Sequence, residues 1–149
     1  MSSVRTILLA TIASVVMATG LLTASQKSDK PSKEQEAKRP KIALRAQPQV
    51  AVAPARVSLT AELTGGSDDF EEYYCPSIEW EWGDDTKSES TTDCEPYQAG
   101  KSQIKRRYTT QHQFPRAGTY RVYIHLKQRD HILASANAMV QVQPGLGGF

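Results

Sequence analysis

Ser77-Ile78-Glu79-Trp80-Glu81-Trp82-Gly83-Asp84-Asp85-Thr86 is the stretch that decides the fold. Ile78, Trp80 and Trp82 alternate without a break with Glu79 and Glu81. Successive side chains of a strand point to opposite faces, so the pattern predicts a half-buried strand with both indoles facing a core. No other pair of residues in the chain offers a larger apolar surface to bury. Gly83 to Thr86 ends the strand with turn chemistry, because Gly tolerates unusual backbone angles and Asp hydrogen-bonds its own local backbone.

Further strands flank it on both sides. Val57, Leu59, Ala61 and Leu63 alternate with Ser58, Thr60 and Glu62, and a loop from Gly65 to Asp69 closes that strand. Ser88 to Gly100 is polar, carries Cys94 and Pro96, and predicts a long loop. Ile104 to Thr110 predicts a strand with Ile104, Arg106 and Tyr108 on one side. Tyr120, Val122, Ile124 and Leu126 then face inward, with Arg121, Tyr123, His125 and Lys127 outward. After a hairpin turn at Gln128–His131 come Ile132, Ala134, Ala136, Ala138, Val140 and Val142 inward, with Leu133, Ser135, Asn137, Met139 and Gln141 outward. Short strands, turn signals and no amphipathic helix predict an all-β sandwich.

The front of the chain is not domain-like. Met1–Arg5 is positively charged and Ile7–Leu22 is an uncharged, mostly apolar run, which reads as a secretory signal over residues 1–25. The run is shorter than the ~20 residues a spanning helix needs, so no membrane span is expected after cleavage; an uncleaved anchor is the alternative. Residues 26–50 read as a disordered, charged linker, with a helical turn conceivable at 33–38. Its cations suit either a solvated tether or adhesion to lipid headgroups or cell-wall polymer. The sandwich is expected over 51–143 and a flexible tail over 144–149. The net charge of +2 is unevenly spread: Glu62 to Asp85 holds nine acidic residues and no Lys or Arg, and Lys101 to Arg129 holds eight basic residues and no acid. Neighbouring strands would neutralise these blocks; left unpaired, they would form an acidic and a basic docking face.

Trp80-x-Trp82-Gly83-Asp84, then His112-x-Phe114, then Gly118-Thr119-Tyr120-x-Val122-x-Ile124-x-Leu126, resembles the PKD (polycystic kidney disease) domain family. The resemblance covers about 53–143. It implies an immunoglobulin-like sandwich of about seven antiparallel strands, serving as a non-catalytic module that contacts proteins or polysaccharides. It also makes Trp80, Trp82, Gly83, Asp84, His112, Gly118 and Tyr120 structural, with His112 tying down a turn. Asp85 stands where the family usually has Gly, and Asp can adopt a positive φ at modest cost. The longer gap before His112 makes residues 87–101 an insertion on the scaffold.

Cys75 and Cys94, the two cysteines of a chain read as exported, are expected to form a disulfide stapling that insertion; a free or metal-binding pair is the other reading. Asp68, Asp69, Glu71 and Glu72 beside Gly65-Gly66 offer oxygen ligands for Ca²⁺, although they lack EF-hand spacing and also suit an unbound acidic loop. No other cofactor is expected. Glu79 and Glu81 share a strand face, but pairing with Arg121 across the sheet outweighs a glycosidase reading. No metal-ligand spacing joins His112, His125 and His131, and no nucleophile elbow or Walker loop occurs, so no enzyme is expected. Two surfaces are candidates for binding: the row Arg121, Tyr123, His125 and Lys127, and the cluster Tyr73, Tyr74 and Tyr97. Together these predict a secreted or periplasmic surface module for an extracellular protein or polysaccharide. The alternative is an assembly subunit or homo-oligomer. Nucleic acid would require a denser basic field. Oligomeric state is not legible.

Overall fold

Alternating apolar and polar residues build eight strands among the described residues, 33–145, of the computed structural model. They are β1 (Lys41–Gln47), β2 (Val50–Val52), β3 (Ala55–Thr64), β4 (Ser77–Glu81), β5 (Lys87–Ser90), β6 (Arg107–Phe114), β7 (Gly118–Gln128) and β8 (His131–Gln143). A short helix, α1 (Lys33–Lys38), precedes them, and a single 3₁₀ turn spans Glu71–Tyr73. The expected export signal, the expected linker up to residue 32 and the tail from residue 146 lie outside the described residues.

Two sheets enclose one core. The three-stranded sheet runs β1-β3-β6 and the five-stranded sheet runs β2-β8-β7-β4-β5. All pairings are antiparallel except β2 with β8. The result is the expected all-β, immunoglobulin-like sandwich. Val57, Leu59 and Ala61 of β3, Phe114 of β6 and Val122, Ile124 and Leu126 of β7 are wholly enclosed. Trp80 of β4 and Trp82 just beyond it are buried, as the alternation requires. Burying side chains of this size contributes roughly 1.5–3 kcal/mol each, which makes the two indoles a large share of the core.

Four details depart from expectation, each for a physical reason. The sheet starts earlier than residue 51. Ile42, Leu44 and Ala46 turn inward from β1, and Lys41, Ala43, Arg45 and Gln47 turn outward. Register with β3 is complete, from Lys41 opposite Thr64 to Gln47 opposite Ser58. The charges that suggested a linker are thus the solvated face of a half-buried strand, and Pro40 and Pro48 bracket it. Next, Lys87–Ser90 is strand β5 rather than loop, because its backbone completes the free edge of β4. Third, β6 starts at Arg107 and runs to Phe114, three residues later than predicted at its start.

The fourth is a register shift. Leu126 stands opposite Ala134 but Lys127 stands opposite Ile132, so Leu133 is an extra residue in β8. A bulge reverses the side-chain alternation beyond it. Ile132, expected inward, is 56% exposed, and Leu133, expected outward, packs against the core. The turn itself is the predicted hairpin, with Arg129 at φ 55° between Gln128 and His131.

Cys75 and Cys94 are joined in a disulfide. It ties the insertion after β5 to the start of β4. The closed loop, with a separation of 19 residues, supplies roughly 3 kcal/mol in the chain-entropy account. Changing both cysteines to Ser should therefore lower unfolding free energy by roughly 2–4 kcal/mol in urea titration; an unchanged midpoint would refute that role.

Tyr108 carries an opposite expectation. Its hydroxyl is enclosed and has no hydrogen-bond partner among the described residues. Burial pushes its pKa up to about 12. An enclosed polar atom without a partner costs about 1–3 kcal/mol. Tyr108→Phe keeps the ring and removes that cost, so it should raise the urea midpoint, whereas Tyr108→Ala should lower it.

Candidate functional site

The tryptophan strand ends in a turn that other residues pin from both sheets. Gly83 adopts φ +76°, and a Cβ there would lie 2.7 Å from the Arg121 carbonyl oxygen. Only glycine permits that approach to β7. Asp85 sits at φ 65°, the left-handed conformation that Asp tolerates in place of Gly. The Thr86 amide donates to Asp84 Oδ1 at 3.1 Å, and His112 Nε2 donates to Asp84 Oδ2 at 2.8 Å. His112 also stacks on Trp82, with ring centres 4.2 Å apart and an interplanar angle of 5°. Trp80 extends the stack on one side; on the other His112 meets Phe114 edge to face, and Phe114 stacks on Tyr120. Tyr120 in turn donates its hydroxyl to the Arg116 carbonyl at 2.8 Å. These contacts tie the turn to the core of both sheets.

Outward from that core, Arg121, Tyr123, His125 and Lys127 line one face of β7 as predicted. Their partners differ from prediction. Glu79 stands opposite His125 and Glu81 opposite Tyr123, so neither glutamate reaches Arg121. Lys127 Nζ instead donates to Glu79 Oε2 at 3.0 Å, and Lys87 pairs with Glu81. That hydrogen bond from Lys127 holds Glu79 below its ordinary pKa, and the same contact raises Lys127. His125 Nδ1 shares a hydrogen bond with Ser135 Oγ at 2.6 Å, and its ring stacks on Tyr123 at 5.9 Å. Arg121 is exposed, makes a 3.4 Å contact from Nε to the Met139 sulfur, and has no carboxylate partner among the described residues. Met139, outside the predicted site, is 45% exposed beside it, and Val50 of β2 adds further apolar surface to that sheet. Outward position on the alternating strand was the signal that could have included Met139.

The tyrosine cluster divides. Tyr73 is buried, meets Phe70 edge to face at 5.6 Å, and its hydroxyl lies 3.4 Å from the Leu133 carbonyl. It belongs to the core and offers no contact surface. Tyr74 and Tyr97 meet edge to face at 5.5 Å beside the disulfide. Their hydroxyls donate to the carbonyls of Glu95 and Asp69, at 2.9 Å and 2.7 Å. Both therefore fasten the insertion to the acidic loop.

That loop is dispersed by cations. Arg106 Nε reaches Asp68 Oδ1 at 2.6 Å, and its Nη1 donates to the Gly65 carbonyl at 2.8 Å. Glu72 pairs with Arg39. Asp68, Asp69, Glu71 and Glu72 do not converge on a common point among the described residues. The acid-and-histidine group that does converge is Glu79, Glu81 and His125, with ligand atoms within 4.8 Å of one another. Lysines already hold both of its carboxylates. Arg106, placed by sequence on the inward side of a strand, instead clasps the loop. The acidic and basic blocks of the chain thus neutralise each other in part, through Glu62–Arg107, Asp68–Arg106 and Glu79–Lys127.

No family model matches the chain, and no curated protein matches it. Solved structures that resemble it include the PKD domain of an M14-like peptidase from Thermoplasmatales archaeon SCGC AB-540-F20, at 15% identity and TM-score 0.48, covering 73% of this chain and all (100%) of that one. Another is the CARDB domain of the PF1109 protein from Pyrococcus furiosus. Its crystal structure, a complex with di-metal ions, has 11% identity and TM-score 0.40, covering 70% of this chain and 94% of that one. Its solution structure has 12% identity and TM-score 0.44, covering 70% and 96%. The immunoglobulin-like assignment rests on the strand order and the turn described above.

Asp84 gives the motif a pH signature. Burial pushes its carboxyl up, but hydrogen bonds from Thr86 and His112 outweigh that and leave it below its ordinary value of 3.8. A depressed folded pKa stabilises the fold above the unfolded value and loses that effect as pH falls through the folded one. Asp84→Asn should therefore cost about 1 kcal/mol at pH 7. The gap to the parent should close below about pH 4 in thermal unfolding; a gap constant with pH would refute the assignment.

Proposed function

We propose that this chain is an extracellular, non-catalytic PKD-like module that binds protein or polysaccharide at the cell surface, using the outer face of its five-stranded sheet. One observation carries the reading. On a face where Lys127 and Lys87 are each held by a glutamate, Arg121 remains exposed without a carboxylate partner among the described residues, next to Tyr123 and Met139. Arg, Tyr and Met are the side chains enriched where proteins meet, and a cation flanked by apolar surface suits an acidic protein segment. The disulfide supports an oxidising, extracytoplasmic location. The expected export signal supports it too. The acidic loop, with Asp68 and Glu72 held by arginines, supports no calcium role.

A second reading is self-assembly. Val50 and Val52, 53% and 54% exposed on the short edge strand β2, favour it. Size that grows with concentration in light scattering would select this reading over the first.

The test is capture from the envelope fraction of the source organism. Arg121→Ala/Tyr123→Ala should weaken the captured partner's binding by at least about tenfold, as expected for two central contact residues. The parent's circular dichroism should be retained. Undiminished capture would remove this face from the proposal.

A further inference from the structure

Independently of that face, we propose that the outer face of the three-stranded sheet docks an extended anionic polysaccharide, a chain of uronate-bearing sugars being the chemistry it fits. Lys41, Arg45 and Arg56 are exposed there, and none has a carboxylate partner among the described residues. Glu62 is the acid of that face, and Arg107 holds it at 2.6 Å. Three positive charges are left over.

Strand register fixes where they stand. Lys41 lies opposite Thr64 and Arg45 opposite Thr60, so four residues of β1 run alongside four of β3. Arg56 is four residues beyond Thr60 in the same direction, opposite Gln113. At ~3.3 Å rise per residue, the three cations form a line with steps of about 13 Å, spanning about 26 Å. Each step exceeds the Debye length of ≈ 8 Å at physiological ionic strength. A compact anion therefore meets one cation at a time, and only an elongated one engages all three.

Between the cations lie hydroxyls and amides. Thr60 faces Thr109, and Gln111 Nε2 donates to Ser58 Oγ at 3.3 Å. Such groups both donate and accept, which suits sugar hydroxyls between carboxylates. Aromatic and large aliphatic side chains are missing from this face among the described residues. A protein partner would favour those at its centre, and single-stranded nucleic acid would need aromatic platforms to stack on. Membrane docking uses denser clusters of four to eight basic residues.

Binding of the full chain to polygalacturonate at about 150 mM salt tests this, with neutral dextran, polyglutamate and phosphatidylserine vesicles as comparators. The expected result is saturable binding to polygalacturonate that weakens as salt rises. It should fall at least about tenfold in Lys41→Gln/Arg45→Gln/Arg56→Gln. Arg45→Lys/Arg56→Lys should retain most of it. All three substitutions are on an exposed face, and unchanged circular dichroism confirms folding. No binding by the parent, or equal binding by the triple variant, overturns the proposal. Equal binding of polyglutamate overturns the sugar assignment, and stronger binding of vesicles overturns it in favour of a membrane.

Discussion

Trp82 between two neighbours is the contact on which this sandwich depends. Its indole lies flat against His112, which comes from the opposite sheet, and stacks with Trp80 on its own side. Asp84 fixes the imidazole from the turn that Trp82 itself begins. One ring thus joins the two layers, and one carboxylate sets its angle. The close approach of Gly83 to the β7 backbone then determines how far the turn can lean. Loss of any one of these would free the others, because each is held by a neighbour in the same chain of contacts.

The charges are arranged around that core by distance along the strands. In the five-stranded sheet, the pairing of β4 with β7 and β5 brings Glu79 next to Lys127 and Glu81 next to Lys87, and the field there is locally cancelled. In the three-stranded sheet, β1 and β3 bring Lys41 and Arg45 opposite threonines, and little cancels them. Exposed ion pairs add little to stability, so this pattern is weakly constrained by folding. It is more strongly expressed in the potential presented to solvent, which governs encounter with charged partners.

Much of the fold was legible in sequence, and the failures have specific causes. Alternation read Trp80 and Trp82 inward because Glu79 and Glu81 interleave with them, and it placed Val122, Ile124 and Leu126 correctly because Arg121, Tyr123, His125 and Lys127 interleave with them. Alternation was equally present in Ile42, Leu44 and Ala46, but four charges from Lys38 to Arg45, with Pro40 and Pro48, outweighed three modest apolar residues. Edge strands such as β1 carry charge because only one face is buried. A bulge has no such signature: nothing in Ile132-Leu133 says which of the two turns inward, since both are aliphatic. At the site, the row on β7 was legible as a face, but its partners were not. Pairing depends on register: Glu81 faces Tyr123, and Arg121, two residues earlier on β7, lies beside Gly83 and Met139 instead.

The two outer faces can differ because strand geometry separates them from the core. Side chains at alternate positions share no neighbours across the sheet, so Arg45 and Arg56 vary without disturbing Leu44 or Val57. The interior binds the layers by shape, which leaves room for few alternatives at Trp82, Phe114 or Ile124. The exterior is held mainly by backbone pairing, which accepts any side chain that tolerates extended geometry. Arg106 and the disulfide extend the same division to the loops: they anchor the acidic loop and the insertion to the scaffold without using either outer face. A module built in this way presents two independent flat surfaces, one amphipathic around Arg121 and Tyr123 and one cationic along Lys41, Arg45 and Arg56. Chemistry that neither surface shares with the core is where recognition has physical freedom to reside.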